Sequence, residues 1–431
     1  MKGGAAYRAG SFFASEAIMR SRFLVICFVL VPAAVWAGPP LTLARVQQLA
    51  LESQPSLTAI EAGARAAREG AVAEGQLPDP RLKLGIANVP EDSFALNRDS
   101  MTTSYISIEQ MFPGGDKRDL RRRRGEAEAD QLAAELTTQR HVIRRDAALA
   151  YLDVVGAQRQ LALLKELQSE IQRQVEAARI NTLSGKGGTA EALAARRMAT
   201  MAHDRESELR LEAAKARAEL SRWIGAAAED QVAEGLPDWP PPPSLAQMKA
   251  QLGAHPAHAA QARSVTTAEA DLALAREATK PDKSIEIGYG ARATQFTNMV
   301  SIQFSMDLPL APRDRQDRGV AARKAQVERA QAMEQDHLRM LAAELAALYA
   351  QWELVRERLQ RMDAELLPDA AQRVEAALAA YRAGRGELGA VLEARSAELE
   401  ARLTRAALLT QAERARLQLA YFEHAGEEHE R

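Results

Sequence analysis

The sequence carries the same pattern twice, about 200 residues apart. Pro55 and Pro256 each begin a stretch rich in Ala, Glu and Arg, and Pro80 and Pro281 each begin a short segment of alternating apolar and polar residues. Both pairs of prolines are separated by 201 positions (256 − 55 and 281 − 80). This period is several times that of a solenoid repeat, so the duplication covers a whole structural unit.

Each half contains two segments in which apolar residues recur at every second position. In the second half these positions are Ile285, Ile287, Tyr289 and Ala291, followed by Val300, Ile302, Phe304, Met306 and Leu308. The second segment of each half ends in proline, at Pro113 and Pro309, which are 196 positions apart (309 − 113). Strict alternation predicts β-strands with one apolar and one polar face, so we expect strand pairs at about 81–112 and 283–308.

Long helices are expected around the strands. Aromatic residues make up 5% of the chain, whereas Ala, Leu, Glu and Arg abound, a composition typical of long packed helices. Glycine-rich breaks at 184–188 and 383–386 each lie between helical stretches, which predicts two antiparallel helical hairpins. In the second hairpin, a seam of apolar residues spaced by three and four positions predicts a coiled coil. The seam consists of Leu338, Leu341, Leu345, Leu348, Trp352, Val355, Leu359, Met362 and Leu366.

These landmarks divide the chain into two repeats joined by a proline-rich linker. The expected segments are a first repeat at 38–235 with its hairpin at 116–225, a linker at 236–243, a second repeat at 244–425 with its hairpin at 314–423, and a tail at 426–431.

The N-terminal segment has the pattern of a secretory signal. Arg20 and Arg22 precede an apolar run at 23–31, and small residues follow at the positions expected for cleavage after Ala37. We therefore expect residues 1–37 to be removed, with Met1 or Met19 as the start. The run is shorter than the ~20 apolar residues that a membrane-spanning helix needs.

Composition and motifs exclude several classes of function. Cys27 is the only cysteine, and Ile26 before it is not the small residue that a lipid-anchor signal requires, so the mature chain would lack thiols. A net charge of −2 gives no reason to expect a nucleic-acid partner. The sequence contains no nucleophile elbow, phosphate-binding glycine loop or HExxH motif, so neither an enzyme nor a cofactor is expected. We interpret His255 and His258, which flank Pro256, as helix-start residues rather than metal ligands.

The alternating strands admit two interpretations. They form a half-buried sheet on a helical core, or they span a lipid bilayer, apolar outside and polar inside. Four strands cannot close a barrel, and an open edge is not tolerated in lipid, so membrane strands would have to come from several copies. Two copies would supply 8 strands and three would supply 12.

The order and duplication of these elements resemble the TolC family, the outer membrane factors of Gram-negative efflux pumps, over residues 41–425. The resemblance implies a mainly α protein with a membrane β-barrel: a homotrimer whose four strands per protomer form one 12-stranded barrel in outer-membrane lipid. Its duplicated long α-hairpins would continue as an α-barrel in the periplasm. It further implies an exit duct that works with a periplasmic adaptor (membrane fusion) protein and an inner-membrane RND pump.

Three motifs are similar to those of the heavy-metal branch of this family, the CzcC-like and CusC-like proteins. They are Leu77-Pro-Asp-Pro80, Asn88-Val-Pro90 and Gln110-Met-Phe-Pro-Gly-Gly-Asp-Lys-Arg118. They imply export of heavy-metal cations. A drug-efflux duct or a type I protein-secretion duct has the same fold and stays an alternative. A soluble periplasmic coiled-coil adaptor or scaffold is the alternative from another class.

The resemblance also assigns roles at the hairpin turns, which would lie at the periplasmic tip. Glu191 and Glu393 correspond to the acidic residues that narrow the pore, and in a trimer each would form a ring of three carboxylates that attracts cations. The alternative is that both are ordinary solvent-facing helix residues. The turn residues expected to contact the adaptor are Gly185, Lys186, Gly187, Gly188, Gly384, Arg385 and Gly386, with plain turn chemistry as the alternative.

Overall fold

The computed structural model describes residues 40–185, 187–233 and 239–423. The predicted signal peptide, Lys186, part of the linker and the tail lie outside these residues. The α-helices are α1 (Leu43–Ser53), α2 (Pro55–Glu74), α3 (Lys117–Leu183), α4 (Thr189–Ile224), α5 (Leu245–Gln251), α6 (Pro256–Glu277), α7 (Gln316–Arg361), α8 (Leu367–Arg382) and α9 (Leu388–Glu423). The strands are β1 (Arg81–Ala87), β2 (Thr103–Phe112), β3 (Lys283–Ala291) and β4 (Met299–Met306).

The helices form two long hairpins, one in each repeat. In the first, α3 has 67 residues, roughly 100 Å, and the chain then turns back as α4. In the second, α7 and α8 run outward and α9 returns. The repeat symmetry extends to the helix starts, because α2 begins at Pro55 and α6 at Pro256, where a missing N–H costs no hydrogen bond.

The predicted coiled-coil seam packs mainly against α9, but it ends earlier than the spacing predicts. Val355 and Met362 are buried against Leu408 of α9. Residues Met362–Leu366 form a π-helical turn, and Leu366 is 53% exposed. Pro368 follows within the first turn of α8, and a proline cannot continue a regular helix without losing a hydrogen bond and crowding the preceding turn. The extra residue of the π turn moves Leu366 out of the seam.

The four strands form one antiparallel sheet in the order β1-β2-β3-β4. Two hairpins, one from each repeat, therefore join through the β2–β3 pair, in which Ile108 lies opposite Ile287. Within the described residues, β1 and β4 each pair on one side only, so both edges of the sheet are open.

The largest buried cluster lies where α1, α3 and α4 pack together. Tyr151 and Leu152 of α3 are fully buried there with Leu220 of α4, and the Tyr151 hydroxyl donates to the Leu41 carbonyl at 3.0 Å. A second cluster joins α5, α7 and α9 around Leu345 and Phe422. These clusters lie in the helical body, so the sheet itself carries little of the core.

Candidate functional site

The apolar face of the sheet is exposed. Its side chains include Leu82, Leu84, Ile86, Ile106, Ile108, Ile285, Ile287, Tyr289, Val300, Ile302 and Phe304, which are between 43% and 76% exposed. Eleven large apolar side chains on one continuous face far exceed the scattered exposed residues of an ordinary soluble surface. The face is therefore built to contact lipid or another apolar surface.

The opposite face is polar and better covered than the apolar one. The ammonium group of Lys83 contacts Glu109 at 2.9 Å and Glu286 at 2.7 Å, which links three strands. The Ser107 hydroxyl donates to Glu286 at 2.6 Å, and Ser284 lies 2.5 Å from Ser305. Ser107 is only 4% exposed. Burial is thus reversed relative to a sheet in water, as expected where the polar face lines a lumen.

A polar joint connects the two repeats at the helical end of the sheet. The motif at 110–118 ends β2 and begins α3, and it packs on the segment between α6 and β3. The Lys117 ammonium donates to the Lys280 carbonyl at 2.5 Å and to the Asp282 carboxylate at 2.7 Å. The Gly114 N–H donates to Asp282 at 2.7 Å, and the Asp116 N–H donates to Glu277 at 2.7 Å.

The joint depends on close backbone approach and on charge. A β-carbon at Gly114 would overlap the Pro281 carbonyl, so only glycine fits there. Burial alone would raise the pKa of Asp282, but Lys117 and the Gly114 N–H outweigh burial and hold that pKa below its ordinary value. Sequence reasoning used this motif only as a family signature. Its role in joining the repeats was missed because its contacts lie more than 160 positions away.

The two hairpin turns use the same geometry. Gly185 has φ +68° and Gly384 has φ +69°, a conformation that closes a helix end cheaply only with glycine. The Gly187 N–H returns to the Asn181 carbonyl at 3.1 Å, and the Arg385 N–H returns to the Ala380 carbonyl at 2.9 Å. Turn chemistry alone thus accounts for the glycines at 185 and 384.

The other predicted tip residues lie around these turns. Gly188 precedes α4 and Gly386 packs on Ala380, while the Arg385 side chain is exposed. Lys186 is outside the described residues.

The turns of the two repeats contact each other. The Glu191 carboxylate accepts a hydrogen bond from the Leu388 N–H at the start of α9, at 3.3 Å, and Glu191 is half-buried. The Asn181 amide donates to the Tyr381 hydroxyl at 3.1 Å. An acceptor at a helix N-terminus meets donors that lack intrahelical partners and a favourable dipole. Glu191 therefore helps to hold the two turns together, a contact that the sequence did not suggest.

Glu393 lies elsewhere and is exposed. It borders a groove of about 780 Å³ between α4 and α9, together with Arg197, Arg205, Glu208 and Glu400. Within one protomer, the contact between the two turns includes Glu191, whereas Glu393 lines the groove. Their predicted place at a pore constriction stays a prediction.

His255, at the start of α6, has a structural role in this geometry. His255 is 1% exposed, and its Nδ1 accepts from the Ala257 N–H at 3.3 Å as the cap of α6. Burial lowers the pKa of His255 to about 4, despite a hydrogen bond to the Tyr421 carbonyl. In the described parts of the chain, no group of three or more His, Cys, Asp or Glu has metal-site geometry.

No helix in the described part of the chain is long and apolar enough to cross a membrane.

Comparison with known proteins identifies relatives of both the sequence and the fold. Residues 46–226 match the model of the family described as "Outer membrane efflux protein". The chain is similar to the cobalt-zinc-cadmium resistance protein CzcC of Cupriavidus metallidurans, with 25% identity over 374 residues, 85% of this chain and 86% of that protein.

Two solved structures show the same fold. The Campylobacter jejuni CmeC outer membrane channel superposes with a TM-score of 0.76 at 15% identity, and the match covers 89% of this chain and 86% of the CmeC chain. CusC, described as forming a transmembrane channel, superposes with a TM-score of 0.73 at 16% identity, and the match covers 88% of this chain and 92% of the CusC chain. The chain thus has the α-barrel and β-barrel fold of the TolC-like channels, and its residues 46–226 match the outer membrane efflux protein family, in agreement with the resemblance found in the sequence.

Proposed function

We propose that this chain is the outer-membrane exit duct of a tripartite efflux system driven by an RND-type pump, and that it exports heavy-metal cations. The observation that carries the proposal is the reversed sheet, whose apolar face is exposed while the polar side chains of β1, β2 and β3 are largely covered. Such a surface is stable in lipid with a watery lumen and unfavourable in water. A soluble scaffold would have no use for it.

The open edges support an oligomer. A sheet edge in lipid leaves backbone groups without partners, each at a cost of several kcal/mol, so the strands must close through other copies. Three copies would supply 12 strands, as the family resemblance implies, with the helical hairpins extending into the periplasm. A passive duct needs an energised partner, which we assign to an inner-membrane pump linked by a periplasmic adaptor.

The hairpin tips are the proposed contact with that adaptor. The turns at Gly185 and Gly384 are exposed, and the neighbouring Arg385 offers a guanidinium to adaptor carboxylates. In the trimer, the exposed Glu393 would add three carboxylates near the tip, which would raise the local cation concentration. Replacing Glu393 with Gln should lower the cation selectivity of the channel in planar bilayers. Unchanged selectivity would show that Glu393 does not contribute to it.

The cargo is inferred from similarity to CzcC, a protein named for cobalt, zinc and cadmium resistance. Deletion of the gene should sensitise the host to one or two of the salts of Co, Zn, Cd, Ni, Cu and Ag, and a plasmid copy should restore growth. Sensitivity to dyes and detergents alone would keep the duct and overturn the metal cargo. A change only in exported proteins would favour a secretion duct.

Cellular location is tested separately. Membrane fractionation should find the chain in the outer membrane as an oligomer whose gel mobility changes on heating. Recovery as a soluble periplasmic protein would overturn the duct altogether.

A further inference from the structure

The repeat provides a template for the contact between copies. Within one chain, β2 of the first repeat pairs with β3 of the second. By the same order, β4 of the second repeat would pair with β1 of the first repeat in a neighbouring copy. Every residue of β4 is exposed in the isolated chain, which leaves that edge free for a partner strand.

The two proline offsets convert the observed pairing into a register. The second strands of the repeats differ by 196 positions and the first strands by 201. Phe112 faces Lys283 within the chain, and their counterparts are Leu308 and Leu82. Likewise, the pair Gln110 and Ile285 maps onto Met306 and Leu84.

We propose that β4 of one copy pairs antiparallel with β1 of a second copy of this chain, with Met306 opposite Leu84 of that copy. This inference rests on the proposed function, because it describes how the oligomeric barrel closes. It goes further by fixing which residues meet at the seam.

The side chains agree with this register. The outward-facing pairs become Leu308 with Leu82, Met306 with Leu84, and Phe304 with Ile86, all of them apolar. The inward-facing pairs become Ser305 with Gly85 and Asp307 with Lys83. A slip by one residue would place Asp307 in lipid, and the period of two along a strand therefore excludes it.

The tilt of the closed sheet provides a second check. The row of paired residues that starts at Leu82 passes through Ile108, Ile287 and Ile302. In the proposed register it reaches Asn88 of the next copy, which is six residues beyond Leu82 and directly follows the end of β1. Six residues at ~3.3 Å over four strand spacings of ~4.8 Å correspond to a tilt of about 45°. That value is typical of membrane strands, which tilt by roughly 45°.

The competing register is a slip of two residues, which keeps every side chain on its face. The hairpins give a reason to test it, because Leu82 pairs with Ile108, whereas Lys283 pairs with Met306 rather than with Phe304, the counterpart of Ile108. The second hairpin is thus shifted by two residues relative to the first. Met306 would face Leu82 or Ile86 of the next copy in the slipped registers.

Cysteine cross-linking separates these registers. Directly opposed strand residues have Cα atoms ~4.5–5.5 Å apart, within disulfide range, whereas a two-residue slip moves them to roughly 8 Å, beyond it. Within one copy β1 and β4 are three strand spacings apart, roughly 14 Å, so only a bond between copies can form. Cys27 is replaced by Ser so that the introduced cysteines are the only thiols.

The experiment compares three full-length double variants in outer membranes under mild oxidation. All carry Met306→Cys, combined with Leu84→Cys, Leu82→Cys or Ile86→Cys. We expect covalent dimers and trimers for the Leu84 combination and at least about ten-fold less for the other two. The heat-modifiable oligomer under reducing conditions serves as the folding control for each variant.

Each outcome is decisive. A dominant cross-link at Leu82 or Ile86 would overturn the register but keep the duct. A normal oligomer in the outer membrane without any cross-link would show that β4 does not meet β1, again with the duct intact. If the Cys27→Ser background itself were a monomer and absent from the outer membrane, both the register and the proposed function would be wrong.

Discussion

Removal of the Lys117 ammonium should loosen the joint between the two repeats. The Lys117 side chain is 9% exposed and makes two short contacts, to the Asp282 carboxylate and to the Lys280 carbonyl. Lys117→Met keeps the length of the side chain but leaves Asp282 with only the Gly114 N–H among these contacts. Breaking a buried ion pair costs ~3–5 kcal/mol, and because Asp282 is partly exposed we expect about 3 kcal/mol.

The assay is hydrogen exchange of the Gly114 amide, which donates to Asp282. A loss of about 3 kcal/mol corresponds to exchange roughly 100-fold faster, provided that the amide exchanges by local opening. Adding Asp282→Asn to Lys117→Met should recover part of the loss, because the uncompensated charge is then gone. Lys324→Met is the matched control, since that side chain is exposed and pairs with the exposed Glu328 on α7, away from the joint.

The pH dependence of stability provides an independent test of the role of Lys117. The pKa of Asp282 is lowered in the folded wild type, so its contribution is present above the unfolded pKa of ~3.9 and is lost as pH falls through the folded value. In Lys117→Met, burial would instead raise this pKa. Protonation of Asp282 at low pH then removes the unpaired buried charge, so the variant is destabilised less. The gap between the two proteins should narrow from pH 7 to pH 4. A constant gap, or an exchange increase below about five-fold, would refute the role assigned to Lys117.

Three further predictions concern the hairpin turns and the buried histidine. Glu191→Ala should speed exchange of the Leu388 amide by removal of its acceptor, worth ~0.5–2 kcal/mol, whereas exposed Glu393→Ala should leave that amide unchanged; equal effects would contradict the capping role. Tyr381→Phe removes the hydroxyl that accepts from Asn181, and the loss of this hydrogen bond, worth ~0.5–1.5 kcal/mol, should lower the thermal midpoint of unfolding. An unchanged midpoint would show that the bond contributes nothing to stability. Because the pKa of His255 is lowered to about 4, the folded state binds fewer protons than the unfolded chain, and stability should fall as pH drops from ~6.5 towards 4. His255→Gln should flatten that dependence of the thermal midpoint, and an unaltered pH profile would place the titration elsewhere.

The sequence predicted the elements well because their signals are local. Alternation placed all four strands, and the proline-free stretch and glycine turns placed both hairpins, with ends that differ from the structure by only a few residues. Leu366 was wrongly included in the coiled-coil seam, since the spacing continues through it and the effect of Pro368 on the preceding turn was overlooked.

The contacts between repeats were not predictable in the same way. Glu191 meets the start of α9 at Leu388, and Lys117 meets Asp282, across 197 and 165 positions of sequence. No periodic pattern relates such partners, and each side chain by itself reads as an ordinary polar surface residue. The available hint of a polar joint was Asp282, a charged residue placed directly between Pro281 and the start of a strand.

The exposed apolar face of the sheet also bears on how the protein is made. A chain that crosses the periplasm with this face and two unpaired strand edges would aggregate with its own copies or with others. The helical body has buried apolar clusters of its own, whereas the exposed apolar face of the sheet would gain stability only from lipid and neighbouring strands. For the proposed duct, we therefore expect the helical body to form before the sheet, with the strands inserting only when neighbouring copies come together.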